Sequence, residues 1–206
     1  LMIMQFSISM ALISSAAIIF NQLEFLQSKN LGFAKDEVII IPVKNDEGMS
    51  RFDAFRNEML RVDGVSAVSA SSNIPGGQFN QHAISLAQNL QHRIDASEAF
   101  VDYDFFKSLN IGLAEGRFFV RENPSDKEAF ILNETAAKEL NVEGSVLGKE
   151  ILWDQNEKTL RGTVVGIVKD FHFQSLHEPV RPLLFALSTR NFNHILIKLN
   201  TTDFST

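Results

Sequence analysis

No charged residue occurs in the first 23 positions; the run ends only at Glu24. As an α-helix, 22 of these residues would span roughly 33 Å, against a hydrocarbon core of about 30 Å. Ten of the 23 are Leu, Ile or Phe. At roughly −0.3 to −0.6 kcal/mol each they favour insertion by about 3 to 6 kcal/mol, an upper bound because the Ser, Gln and Asn residues subtract from it. The run reads as a transmembrane helix, which would put everything after it on one side of a bilayer. Two other readings compete. A secretory signal peptide has a shorter apolar region preceded by basic residues. Here nothing basic precedes it, and the apolar pattern continues past the small residues Ser14-Ser15-Ala16 through Ile18, Ile19 and Phe20. A buried core helix is the third reading, and the length of the run argues against it. The chain opens on Leu1 and reads as a piece of a longer protein, so the flanking charges that would orient a membrane helix lie outside it.

The residues after the run suffice for one domain or two small ones. With 45% hydrophobic and 21% charged residues, the chain has the balance of an ordinary folded protein. The net charge of −6, without any basic block, argues against a nucleic-acid partner. There are no cysteines, which removes disulfides and thiolate metal sites. Eighteen Phe stand against one Tyr and one Trp. Phe has no polar handle, so most of these belong in a core or a membrane.

Beyond Glu24, Leu23 and Leu26 stay on one face, which extends the helix as a stalk to a stop at Gly32. The unbroken apolar run Val38-Ile39-Ile40-Ile41 predicts a strand buried on both faces. Phe52, Phe55, Met59 and Val62 recur at spacings of three and four, predicting an amphipathic helix over 49–62 with Ser50 as its N-cap and Gly64 as its end. Residues 65–70 alternate as a strand, which completes a β-α-β unit. Further strands are predicted over 82–90, 94–101, 111–113, 129–132, 148–153, 161–168, 183–187 and 194–199. Short helices are predicted over 102–109 and 134–140, the second capped by Asn133. Strands outnumber helices and alternate with them irregularly, so the fold class is α+β.

The order of the short motifs is informative. An apolar helix leads into Gln22 to Phe33; then follow Val101-Asp102-Tyr103-Asp104-Phe105-Phe106, Gly116-Arg117-Phe118-Phe119, Ile131-Leu132-Asn133-Glu134, Leu147-Gly148-Lys149 and Val164 to Phe173. In that order they resemble the extracytoplasmic core domain of MacB/FtsX-type ABC transporter permeases, over nearly the whole chain. The resemblance implies a transmembrane helix and stalk at 1–33, a porter-like β-α-β sandwich at 34–115 plus 181–206, and a smaller inserted β-rich lobe at 116–180. It implies a periplasmic domain on the bacterial inner membrane, with no enzymatic activity and no cofactor. A cytoplasmic ABC ATPase would drive it. Its ATP hydrolysis would be coupled through the membrane to substrate export or to activation of a periplasmic partner. The other implied partners are membrane lipid, a second permease copy and a periplasmic adaptor or effector protein. The competing function is a membrane-anchored extracytoplasmic sensor feeding a signalling protein.

The residues offer little catalytic chemistry. His172 and His177 are five apart beside Glu178, whereas helical metal-ligand pairs need three or four. Asp102 and Asp104 could act as an acid–base pair, but at a strand-to-helix junction they more simply cap the helix. Asn133-Glu134-Thr135 and Asn200-Thr201-Thr202 match the glycosylation pattern; in a bacterial protein, as the resemblance implies, these are chance matches. Phe171, His172, Phe173 and Leu176 lie in a polar connection. They either pack beneath it or form a partner or inter-lobe surface, and packing is favoured because most Phe are buried. No Gly-x4-Gly-Lys-Ser/Thr cradle is present. The isolated chain is therefore expected neither to bind nor to hydrolyse ATP; a specific heat of binding in calorimetry would overturn this division of labour.

Overall fold

A computed structural model of the chain describes residues 2–28, 31–33, 37–43, 51–155, 158–174, 178–188 and 192–200. They fall in two compact units, Leu1–Leu31 and Gly32–Thr206.

The first unit is α1, Met2–Ser28. Its stretch Met2–Glu24 is long and apolar enough to cross a membrane, and every side chain in that stretch is exposed. The apolar residues surround the helix and do not gather in a stripe, as suits a helix with hydrocarbon on all sides. The Ser7 and Ser15 hydroxyls donate to the carbonyls of Ile3 and Ala11, four residues earlier, at 2.9 and 2.8 Å. Each hydroxyl is thereby satisfied within the helix, which removes the cost of presenting it bare to lipid.

The second unit is α+β. Its strands are β1 (Val38–Pro42), β2 (Val65–Ser71), β3 (Gln81–Leu86), β4 (Asn89–Val101), β5 (Leu113–Gly116), β6 (Ala129–Asn133), β7 (Glu150–Gln155), β8 (Lys158–Val168), β9 (Leu183–Leu187) and β10 (His194–Leu199). The helices are α2 (Phe52–Met59), α3 (Phe105–Ser108) and α4 (Glu134–Glu139), with a 3₁₀ turn at Pro124–Glu128. The strands run in the order β1-β10-β2-β4-β3-β7-β8-β6-β9, and β9 also pairs with β4 in parallel. That last pairing closes β4, β3, β7, β8, β6 and β9 into a six-stranded barrel. The remaining β1-β10-β2 form a three-stranded antiparallel layer. Layer and barrel share one ladder pair, Ser71 with Val101.

Three cores follow. Inside the barrel, Ile84, Leu86, Phe130, Leu132, Ile151, Trp153, Val164, Ile167 and Leu184 pack together. Trp153, the only tryptophan, lies between Phe100 and Phe130, with both ring centroids 5.6 Å away. Between barrel and layer, an aromatic core gathers Phe105, Phe106, Phe119, Phe171, Phe173 and Phe185. On the outer face of the layer, Phe52, Phe55 and Met59 of α2 pack on Val68, Ala70, Ile195 and Ile197. Alternation along β6 and β9 sends Phe130, Leu132 and Leu184 into the barrel and Ile131, Leu183 and Phe185 into the aromatic core.

Several sequence expectations need correction. β1 is not buried on both faces: it is the edge of the layer, with Ile39 47% exposed and Ile40 and Ile41 each 38%. An uninterrupted apolar run reports affinity for cover, and here, among the described residues, a neighbouring strand lies on one side only. α2 is shorter than the predicted 49–62, and Val62 is exposed; Ser50, its expected cap, lies outside the described residues. β3 and β4 turn at Ala87–Gln88, a pair without Gly or Asn-Gly chemistry to announce it. The strand expected at 111–113 is β5, two residues later. The gap expected between the strands at 148–153 and 161–168 is narrower, because β7 continues to Gln155 and β8 starts at Lys158. Strands β3 and β4 of range 34–115, and β9 of range 181–206, all belong to the barrel that β6, β7 and β8 of range 116–180 help to close.

Two motif glycines meet where β5 crosses β8. Gly116 (φ +76°) pairs with Gly166, and a Cβ on Gly116 would overlap the Val165 carbonyl oxygen. A Cβ on Gly166 would overlap the carbonyl oxygen of Arg117. Gly144 has a similar φ of +81° but open space around it, so it isolates the backbone cost. Gly144→Ala is expected to destabilise by about 1 kcal/mol, and Gly116→Ala by at least about 2 kcal/mol more because backbone must move. Equal urea midpoints for the two variants would refute the close approach.

Candidate functional site

The segment after β8 binds three parts of the domain to one another. The Asp170 carboxylate accepts from Asn133 Nδ2 (2.8 Å), Thr135 N (3.1 Å) and Thr135 Oγ1 (2.7 Å). Asn133 is the N-cap of α4, and its Oδ1 accepts from Ala136 N at 3.0 Å and Leu183 N at 2.8 Å. This carries out the capping read from the sequence. It also leaves the Asn133 side chain wholly buried and fully engaged, so the glycosylation match there is sterically closed.

Phe171 and Phe173 are both buried in the aromatic core. Phe171 stands edge-on to Phe33 (6.1 Å) and Phe173 edge-on to Phe79 (4.9 Å). The Phe173 carbonyl accepts from Gly76 N at 2.9 Å. Gly32, with φ +84°, lies so close that a Cβ on it would stand 2.8 Å from Phe171 Cβ. The first residues of the domain therefore rest directly on the aromatic core. Neither ring is open to a partner, which agrees with the packing reading. His172 is partly exposed. Leu176 and His177 lie outside the described residues. Above this segment lies an open hollow of about 460 Å³, lined by Gly76, Gly77, Gln78, Phe79, Asn80, Gln174, Glu178 and Arg181. Its charged pair, Arg181 and Glu178, is joined at 2.9 Å. Among the described residues, no group of three or more His, Asp or Glu side chains could hold a metal ion.

The Asp102/Asp104 motif is not a simple cap. Asp104 occupies the N-cap position of α3 without capping it. Its Oδ2 instead accepts from Arg56 on α2 (Nε 3.1 Å, Nη2 2.6 Å) and from Arg121 after β5 (2.9 Å). The Arg121 guanidinium also lies 4.8 Å over the Tyr103 ring. Asp104 thus ties the helix of the layer to the barrel side. Sequence spacing gave no sign of this, since its partners stand 48 and 17 residues away. Asp102 is 4% exposed, and its Oδ2 has no hydrogen-bond partner among the described residues. Burial first, and the adjacent Asp104 charge second, push its carboxyl up from 3.8 to about 7, against backbone N–H groups of Ala70 and Asp104 and the Arg121 charge. Nearby, Arg117 of the Gly116-Arg117 motif grips the buried Asp126 with two bonds, at 2.8 and 2.7 Å. Burial acts to raise the Asp126 carboxyl. The Arg117 bonds and the Val120 N–H outweigh it and hold the group below the usual carboxylate range. Its contribution to stability is accordingly lost only as pH falls below 3.8 toward the folded-state value.

The described residues thus combine a helix long enough to span a bilayer with a strand-and-aromatic assembly whose motif residues are engaged in packing and in ion pairs. The chain belongs to the MacB-like periplasmic core domain family, whose pattern matches residues 6–203. The match begins within α1, so helix and domain belong to one pattern. In fold, the chain is similar to the periplasmic region of MacB from Actinobacillus actinomycetemcomitans. The TM-score is 0.56 and the identity 14%, over 87% of this chain and 81% of that one. It is also similar to the extracellular domain of the noncanonic ABC-type transporter YknZ from Gram-positive bacteria. There the TM-score is 0.54 and the identity 16%, over 80% of this chain and 84% of that one. No curated protein matches the chain in sequence. It is a MacB-like periplasmic domain of an ABC transporter permease, a family that is not itself catalytic.

The raised Asp102 carboxyl has a consequence for stability. Between pH 4 and pH 7 the folded state holds a proton that the unfolded chain has released. Stability should therefore fall with rising pH across that window, by about 1.4 kcal/mol per unit at most from this group. Asp102→Asn removes the titration, so the variant should gain on the parent as pH rises from 5 to 8. Urea midpoints whose difference is independent of pH would show that Asp102 ionises freely.

Proposed function

We propose that the domain transmits displacement. In this reading, ATP hydrolysis by a cytoplasmic ABC ATPase moves α1, held in the inner membrane, and the domain converts that movement into substrate export or activation of a periplasmic partner. The observation that supports it most is the seating of Gly32 and Phe33 against Phe171. Gly32 and Phe33 touch Phe171 directly, so a shift of the chain at Gly32 acts on the aromatic core between layer and barrel. In this reading the layer tilts on the barrel about the Ser71–Val101 pair and the backbone bonds beside it (Ser72 N to Phe100 O, 2.8 Å; Asp102 N to Ala70 O, 3.0 Å), while Arg56, Asp104 and Arg121 limit how far.

The reading calls for membrane lipid around α1, the ATPase, a second permease copy and a periplasmic adaptor or effector. Its porter-like lobe (34–115 with 181–206) and smaller lobe (116–180) are joined through the barrel, to which both contribute strands. The layer supplies the moving face of the first and the barrel links both. His172, beside the buried Phe171 and Phe173, is partly exposed and within reach of an outside partner; Leu176 is assigned to the same surface from the sequence alone.

The test is mechanical. A Gly-Ser linker of about ten residues after Asn30 behaves as random coil and cannot pass on a displacement. Transport by the full assembly should be abolished, while ATPase-subunit binding and membrane insertion survive. Transport at the normal rate would instead support the sensor alternative, since a tethered binding domain works on any leash.

A further inference from the structure

The joint between layer and barrel has a carboxyl group at its centre. Asp102 is the first residue beyond β4, and its N–H donates across the joint to Ala70 O on β2. Its side chain is buried. Oδ1 accepts from Asp104 N at 3.1 Å, while Oδ2 has no hydrogen-bond partner among the described residues. A carboxylate with a bare buried oxygen is costly; a protonated carboxyl in the same place carries no charge and costs far less. The groups around it do not supply the missing partner. Asp104, two residues on, adds a like charge, and the Arg121 guanidinium is bonded to Asp104 and stacked on Tyr103. From the layer, α2 brings Arg56, which places two nitrogens on Asp104; Asp53 and Glu58 of the same helix are exposed. Lys107 of α3 is exposed as well. β2 and β9 carry no titratable residue, and β10 places His194 opposite Ser71, one strand away.

We infer that the joint is proton-linked: opening the layer away from the barrel brings water to Asp102, whose carboxyl then gives up its proton to that water. The O–H bond at Asp102 breaks, and the charge left on the carboxylate is hydrated in place of being buried. The closed joint holds this carboxyl at about 7, chiefly by burial; in water it returns toward 3.8. Between these values the closed joint keeps a proton that the open joint has lost. Rising pH therefore favours opening across that window and has no further effect above it, where both forms are ionised. The linkage is reciprocal, so a force that holds the joint open releases the proton. Arg121 and Asp104 set the upper limit of the window, since the first charge favours ionised Asp102 and the second opposes it. A proton acting here would regulate the tilt proposed above, and in that use it rests on the transmission reading.

The test is amide hydrogen exchange of the whole chain in detergent between pH 5 and pH 8, with the intrinsic pH dependence of exchange divided out. The Ser72 and Asp102 amides, which donate across the joint, report its opening; the Val164 amide, bonded to Lys149 O within the barrel, reports unfolding. The joint amides should exchange faster than Val164 at every pH, through a local opening. The equilibrium constant of that opening should rise by up to about tenfold per pH unit and level off above about pH 7. Asp102→Asn should make it independent of pH. Arg121→Gln, which removes a favourable charge without touching the carboxyl, should move the levelling to higher pH, and it carries the test alone if the first variant does not fold. A local opening that ignores pH in the parent overturns the inference. So do joint amides that exchange only together with Val164, which would mean that water reaches Asp102 on unfolding alone. A slope that persists in Asp102→Asn also overturns it and assigns the proton to His194. Transport is not measured, so failure here leaves the transmission reading standing, and failure of the linker test leaves this result standing.

Discussion

The Asn133 side chain is the constraint on which the rest of the barrel depends. It is completely buried, and all of its hydrogen-bonding capacity is used within the protein. Nδ2 donates to Asp170 and to the Arg181 carbonyl; Oδ1 accepts from Ala136 N and Leu183 N. One amide therefore ends β6, starts α4, fixes the exit of β8 and sets the start of β9. Each unsatisfied group would cost about 1 to 3 kcal/mol in such a setting, so these four elements are positioned jointly or not at all. Because β9 also pairs with β4, the same amide helps to register the strand that closes the barrel.

The aromatic core shows why phenylalanine dominates the aromatic residues. Phe106 stacks on Phe118 at 5.0 Å and stands edge-on to Phe105 and Phe185 at 5.5 and 4.9 Å. Phe171 joins Phe185 to Phe33, and Phe173 extends the chain to Phe79. Contacts of this kind contribute about 0.5 to 1.5 kcal/mol each beyond their area, and need no polar partner. A tyrosine at the buried Phe105, Phe106, Phe171, Phe173 or Phe185 would bring a hydroxyl to satisfy. Only at the rim, under Arg121, does the single tyrosine occur.

What could be read in the sequence was local. The Asn133 cap, β9, β10 and the Phe52/Phe55/Met59 face all announce themselves through patterns a few residues long, and those patterns decide them. The apolar run of β1 was legible as a strand but not as an edge, because its environment depends on what lies beside it. The barrel was not legible at all. Its closing pair joins Ser97–Val101 to Leu183–Leu187, strands more than eighty positions apart in the sequence, and nothing in either strand names the other. The candidate site divides in the same way. Phe171 and Phe173 were correctly weighed as packed residues, since Phe is rarely left open. The Arg56 and Arg121 grip on Asp104, and the orphaned oxygen of Asp102, arise from chain segments brought together only by the fold.

The placement of Trp153 has an optical consequence. It is the only indole in the protein, sealed inside the barrel between two phenyl rings, with no hydrogen-bond partner for its Nε1 among the described residues. An indole in such dry surroundings emits at short wavelength and shifts to the red when water arrives. Intrinsic fluorescence therefore reports the opening of the barrel and is blind to the β1-β10-β2 layer. Circular dichroism, which averages over every peptide bond, sees both. Separation of the two signals on heating would measure how loosely the layer is hung on the barrel, without any label being attached.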